Sequence, residues 1–203
     1  MDEVQQGILN RVQAEVRERM STQGAGHGWD HVERVWRNAK EIAAEVGGDG
    51  FIIQLAALLH DLGDAKFYDG VERSGEFARE MLARFTASQS VIDHIAHIVD
   101  NISFRKREIA EPLSLEGQVV QDADRLDALG AIGIVRTIEY GAAFDQPFYD
   151  PSRPEAQTGI GHFHEKLFHL KELMNTEAGR RLAEKREQFM RQFLDQFQNE
   201  CGE

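Results

Sequence analysis

A chain of 203 residues with 41% apolar and 29% charged residues and a mean hydropathy of -0.46 is long enough to bury the core of one domain, and no apolar run nears the ~18 residues of a membrane-spanning helix. The formal charge of -12 argues against tight binding to duplex nucleic acid, which Lys and Arg stabilise by neutralising phosphates, yet a cavity can be locally positive, so small phosphorylated ligands remain within its chemistry. The acidic start Met1-Asp2-Glu3 is unlike a secretory leader and the single cysteine, Cys201, allows neither an intrachain disulfide nor a thiolate metal site, so a reducing, cytoplasmic setting is expected.

Val4, Ile8, Val12, Val16 and Met20 recur every four residues, with Leu9 beside them, and predict a helix over 4–20. The glycine-rich stretch 24–30, which holds His27, interrupts it. Asp30 is expected to cap a second helix carrying Val32, Val35, Trp36, Ala39, Ile42, Ala43 and Val46, which stops at Gly47-Gly48. His31 falls in its first turn, one turn before Val35, and so borders the buried face. Residues 51–62 form a nearly all-apolar third helix, which reads as central.

That helix ends in His60-Asp61, followed by Gly63, Asp64 and Lys66, a cluster that core packing does not ask for. An adjacent imidazole and carboxylate at a helix end can share one metal ion, because the chain turns after Gly63. Such a mixed nitrogen and oxygen site suits Mn, Fe, Ni, Co or Zn through the histidine and Mg or Mn through the carboxylate. An isolated His-Asp pair is more often chance, so its weight depends on ligands elsewhere in the chain.

A fourth helix is expected over 72–85, with Phe77, Met81, Leu82 and Phe85 inward. In the fifth, after Ser90, Val91, Ile95, Ile98 and Ile102 make one face, and His94, His97 and Asn101 make a polar stripe at its flank. That stripe is either a hydrated edge or a contact to a second metal or a phosphate. A helix from Ser114-Leu115 then carries Val119, Val120, Ala123, Leu126, Leu129, Ile132 and Val135. Asp124 and Asp127, three apart, share one of its faces and repel each other unless a cation compensates; Asp122 reads as solvated. Gly130, Ala131 and Gly133 permit close approach of a neighbouring helix. The connection 141–161 contains Pro147, Phe148, Tyr149, Pro151, Arg153, Pro154 and Gly159, and its length suits a lid or binding loop unless it is a disordered excursion. Helices over 162–174, with Phe163, Leu167 and Leu170 inward, and 176–197, with Leu182, Phe189, Phe193 and Phe197 inward, close an all-α chain without repeats.

The order His31, then His60-Asp61, then Asp124, each on a separate predicted helix, resembles the HD superfamily of metal-dependent phosphohydrolases. The surrounding residues are similar to the small stand-alone bacterial branch: Gly28-Trp29-Asp30-His31-Val32-Glu33-Arg34-Val35, then Leu59 to Phe67, Gln121 to Ala128, and His162-Phe163-His164-Glu165-Lys166-Leu167. The resemblance spans nearly the whole chain. It implies an all-α helical bundle in one compact domain, with a metal-binding core over about residues 27–140, a lid-like loop over about 141–161 and C-terminal helices over about 162–198. It makes His31, His60, Asp61 and Asp124 the ligands of a divalent metal, Mn or Mg first and Fe, Co or Ni as alternatives. It chooses Asp124 over Asp122 and Asp127.

Two imidazoles and two carboxylates leave open positions on a cation that prefers six ligands, so water and a phosphate oxygen can bind side by side. Asp64 is placed to orient that water or shuttle its proton, and Lys66 to neutralise phosphate oxygens. Arg34, Arg125, His94 and His97 are weaker candidates for substrate contact, and Arg153 joins Tyr149 and Phe148 as a grip for a distal phosphate or a base. The expected activity is hydrolysis of a nucleotide or similar small phosphate, with a nucleoside triphosphate pyrophosphohydrolase as the sharpest form. A di-iron oxygenase completed by the extra histidines and a catalytically silent nucleotide-binding regulator are the alternatives.

Overall fold

In the computed structural model, which describes residues 1–21, 28–64, 68–85, 88–103, 109–153 and 157–202, the described residues contain helices and turns but no strand. The chain groups into two compact units, Met1–Ala123 and Asp124–Glu203. The boundary falls inside one continuous helix.

The first unit is built around α3 (Gly50–Leu59), in which eight residues from Phe51 to Leu59 are buried. It packs against α1 (Glu3–Met20), α2 (Trp29–Val46), α4 (Ser74–Ala83) and α5 (Gln89–Asn101). Helix α1 starts with a capping box, Asp2 Oδ1 accepting from Gln5 N at 2.8 Å while Asp2 N donates to Gln5 Oε1 at 3.1 Å, which satisfies two otherwise orphaned donors. Its buried stripe is Leu9, Val12, Val16 and Met20. Val4, expected on that stripe, is exposed in the first turn, where the helix has not yet reached the core.

Gly28, rather than Asp30, caps α2, and Asp30 lies inside the first turn, where its charge complements the helix dipole. The helix ends as expected at Gly47, whose φ of 83° requires glycine. Asp49 then caps α3 by accepting from Phe51 N and Ile52 N. Helix α3 is shorter than the apolar run suggests: residues 60–63 form turns, with Leu62 N bonded to Leu59 O and Asp64 N to Asp61 O. Phe77 and Phe85 are half-buried, and in α5 Ile92 joins the core where Val91 was expected.

Helix α6 (Leu115–Asp127) leads into the second unit. The single helix expected from Ser114 past Val135 is in fact two, because Gly130 takes a φ of 73° and begins α7 (Gly130–Ala143). A Cβ on Gly133 would lie 2.2 Å from the Ala128 carbonyl oxygen, so that glycine admits the connecting turn rather than another helix. Ile132, Val135 and Ile138 line one exposed side of α7, contrary to the expectation for Ile132 and Val135.

Beyond α7 the chain is tied down over its described residues: Gln146 N bonds Gly141 O, Gly159 N bonds Pro147 O and Ile160 N bonds Phe148 O. Phe148 packs edge-on against Phe163, Phe193 and Phe197, with centroids 5.3–6.1 Å apart. Helix α8 (Gly159–Glu165) stops at Lys166, where a 3₁₀ segment, Leu167–Leu173, takes over. Helix α9 (Glu177–Cys201) is capped by Thr176 and buries Ala183, Glu187, Met190 and Leu194, leaving Phe189 exposed against expectation. Buried Glu187 meets Lys171 at 3.4 Å and Arg191 at 2.8 Å.

Candidate metal centre

His31 enters from the first turn of α2, which Gly28 O anchors by accepting from His31 N at 3.0 Å. His60 is the residue that caps the C-terminus of α3. Both imidazoles are nearly sealed, at 2% and 5% exposure. His60 Nδ1 lies 2.8 Å from the carbonyl oxygen of Ala57. A carbonyl can only accept, so Nδ1 carries a proton and Nε2, on the other side of the ring, is the atom that can bind a metal. That atom faces His31 Nε2, 3.1 Å off. Two ligands side by side on a cation with bonds of about 2.1 Å stand about 3 Å apart. Asp61 completes the group within this unit, with Oδ2 at 3.4 Å from His31 Nε2 and Oδ1 at 3.7 Å from His60 Nε2.

The ligand atoms of His31, His60 and Asp124 lie within 4.8 Å of one another, an arrangement able to hold a metal ion. The donor set also fits a divalent cation chemically, with two imidazoles, that of His60 oriented by the Ala57 carbonyl, and flanking carboxylates. Neighbouring carboxylates on α6 have other surroundings. Asp122, expected in solvent, is fully buried, and Asp127 is an ion-pair partner of Arg136 at 2.5 Å.

The turn after His60-Asp61 is docked from outside. Ser74 Oγ, fully buried, accepts from Gly63 N at 3.2 Å, and Gly63 O accepts from Arg73 N at 2.9 Å. A Cβ on Gly63 would stand 2.4 Å from the Arg73 carbonyl carbon, so only glycine allows this approach. Asp64 follows directly and is half-buried. Lys66, like His27, lies outside the described residues.

The other candidates have contacts of their own. His94 Nε2 meets Ser114 Oγ at 2.8 Å and Glu116 Oε2 at 3.8 Å, and His97 Nε2 meets Pro112 O at 3.1 Å. These rings fasten α5 to the segment leading into α6. Burial pushes the Glu116 carboxyl up, but hydrogen bonds from the backbone of Asp49 and of Glu116 itself, the Ser114 hydroxyl and nearby His94 outweigh it and hold the group below the usual value. Arg125 donates to Leu173 O, Arg153 pairs with Asp150 at 2.6 Å, and Tyr149 packs on Phe197. Arg34 is half-buried on α2, three residues beyond His31.

Two polar residues bonded to the segments that carry the candidate ligands are absent from the sequence-based candidates. Ser74 is one. The other is Asn38, 2% exposed on the inner face of α2, whose Nδ2 donates to Ala123 O at 3.2 Å. The available signal was its place seven residues after His31, hence on the same helical face, between Val35 and Ile42.

An all-helical chain with imidazoles and a carboxylate from separate helices converging in this order defines a metal-dependent phosphohydrolase of the HD type, and the chain belongs to the HD domain family, which it matches over residues 28–129. Among its relatives is the YpgQ protein of Bacillus subtilis, 41% identical over 183 residues that make up 89% of this chain and 87% of that one. The crystal structure of B. subtilis YpgQ in complex with ADP superposes with a TM-score of 0.82 at 34% identity, covering 97% of this chain and 96% of that one. That of an HD-superfamily hydrolase from Bacillus thuringiensis gives 0.82 at 38% identity, covering 98% of both chains.

Proposed function

We propose that His31, His60, Asp61 and Asp124 hold one divalent cation, Mn or Mg, and that the protein hydrolyses a nucleoside triphosphate at the α-phosphorus, releasing monophosphate and pyrophosphate. The observation that carries the reading is the meeting of ligand atoms from His31, His60 and Asp124 within 4.8 Å. The ADP bound to YpgQ supports a nucleotide as substrate. When bound, such a cation lowers the pKa of a coordinated water and neutralises charge on the phosphoryl group.

The chain supplies the rest. The Ala57 carbonyl holds the His60 ring so that Nε2 faces His31, and the Asp61 carboxylate lies beside both imidazoles, one oxygen near each. Asp64, half-buried just beyond the docked turn, takes the proton from the attacking water, and Lys66 and Arg34 contact phosphate oxygens. Because His94 and His97 are engaged with Ser114, Glu116 and Pro112, a one-cation hydrolase is favoured over a two-metal oxygenase.

Turnover in ¹⁸O-labelled water with Mn, Mg, Co or Ni tests the assignment. Label in the nucleoside monophosphate is the expected result. Label only in free orthophosphate rules out attack at the α-phosphorus, and absence of metal-dependent turnover on any nucleotide overturns the reading.

A further inference from the structure

We infer that Asn38 is a positioning residue for the metal centre, acting through the backbone that carries Asp124. The inference rests on the metal-site reading above and assigns a role to a residue outside the ligand set.

The buried face of α2 consists of Trp29, His31, Val32, Val35, Asn38, Ala39 and Ile42. Apart from the ligand His31 and the amphipathic Trp29, Asn38 is the one polar member. Removing a side-chain amide from water is unfavourable unless its hydrogen bonds are replaced, and an apolar side chain such as Leu, branched at the same carbon, carries no such cost. What the amide gains is a specific bond: Nδ2 donates to the carbonyl oxygen of Ala123 at 3.2 Å. Ala123 is itself fully buried in the middle of α6. Its carbonyl has two lone pairs, one for the intrahelical bond and a second for Asn38. The α6 ladder therefore does not need Asn38.

The location of the bond gives it meaning. The Ala123 carbonyl and the Asp124 N and Cα belong to one planar peptide unit. A hydrogen bond at that oxygen consequently fixes the plane from which the Asp124 side chain departs. The same helix that presents His31 thus holds the backbone of a second ligand. Positions seven apart on a helix differ by only about 20° in direction, so His31 and Asn38 move together with α2. A second buried amide, Gln121, donates to Ile102 O at 3.0 Å and ties α6 to the end of α5, which limits sliding of the helix. Asn38 then sets how far the Ala123–Asp124 peptide stands from α2.

The test compares Asn38→Leu with the wild type and with Ile42→Val, a buried change on the same helix face that removes one methylene and no hydrogen bond. Mn affinity is measured by equilibrium titration, together with the metal-free thermal midpoint and the kcat-against-KM split for a nucleoside triphosphate. Loss of a residue that orients a ligand lowers metal affinity about 10- to 100-fold. The expected result is a rise of that size in the Mn dissociation constant for Asn38→Leu, cured at saturating Mn for KM more than for kcat, with Ile42→Val binding as the wild type does. Asn38→Ser, which keeps a short donor, carries the same comparison should the leucine variant not fold, and should bind between the two. Unchanged Mn affinity in Asn38→Leu, or an equal loss in Ile42→Val, overturns the inference and leaves the metal site standing. Failure of the wild type to bind Mn, Mg, Co or Ni overturns the metal-site reading itself.

Discussion

At the scale of single residues, the bond from His60 Nδ1 to the Ala57 carbonyl does what a free imidazole does not, since it selects one tautomer and one ring orientation before any ligand arrives. His60→Ala should therefore abolish metal retention along with turnover, and elemental analysis after desalting checks it: full occupancy at near-normal rates would remove His60 from the ligand set. Asp64→Asn keeps shape and loses the basic oxygen, so metal should stay bound while kcat falls about 10²- to 10⁴-fold; an unaltered kcat across pH would make Asp64 structural. His162 gives a separate pH signature. Burial, with help from nearby Lys166 and partly offset by Glu165, lowers its pKa from the ordinary 6.5. The folded state then binds a proton less readily than the unfolded chain, so the contribution to stability is full above pH 6.5 and is lost as pH falls through the lowered folded value. Thermal midpoints measured on both sides of that pH should show the wild type losing ground relative to His162→Asn as the solution is acidified, and parallel curves would contradict it.

At the scale of elements, two glycines separate a rigid constraint from a soft one. A Cβ on Gly63 would meet backbone of Arg73 at 2.4 Å, whereas one on Gly75 would meet the carboxylate of Asp100 at 2.1 Å. Backbone cannot swing away and a side chain can. Gly63→Ala should cost about 1–3 kcal/mol or more and displace the turn bearing Asp61 and Asp64, lowering activity. Gly75→Ala should cost about 1 kcal/mol, the value of the bond from Gly75 N to Asp100, with activity retained; equal losses in chemical denaturation would refute the distinction. The same elements show what the sequence discloses. Helical periodicity located α1 to α5 and the long C-terminal helix, whereas the set His31, His60 and Asp124, whose ligand atoms lie within 4.8 Å of one another, is what the HD resemblance implies, since residue spacing by itself does not separate Asp124 from Asp122 or Asp127. The α6–α7 break was not legible, since the apolar period runs on through Leu129, Ile132 and Val135 while Gly130 alone reverses φ. The change to a 3₁₀ segment after Lys166 likewise leaves the spacing of apolar residues nearly intact. Asn38 stayed hidden because one amide within an apolar stripe alters neither period nor composition, and its partner is a backbone carbonyl 85 residues away.

At the scale of the whole molecule, a cation bound only by the folded chain stabilises it by linkage. At a hundred times the dissociation constant the gain is about 2.7 kcal/mol, so the thermal midpoint should climb with Mn and fall back on chelation; a midpoint indifferent to Mn would count against a folded-state site. The exposed side of α7 has a different consequence, a colloidal one. Ile132, Val135 and Ile138 expose apolar surface at three-residue spacing, and mutual repulsion from the formal charge of -12 opposes association of copies through it. That repulsion fades as the solution approaches the isoelectric point near 5.1. Light scattering should therefore rise toward that pH and in high salt, and Val135→Glu with Ile138→Glu should keep the solution clear while moving stability by no more than about 0.5 kcal/mol per site.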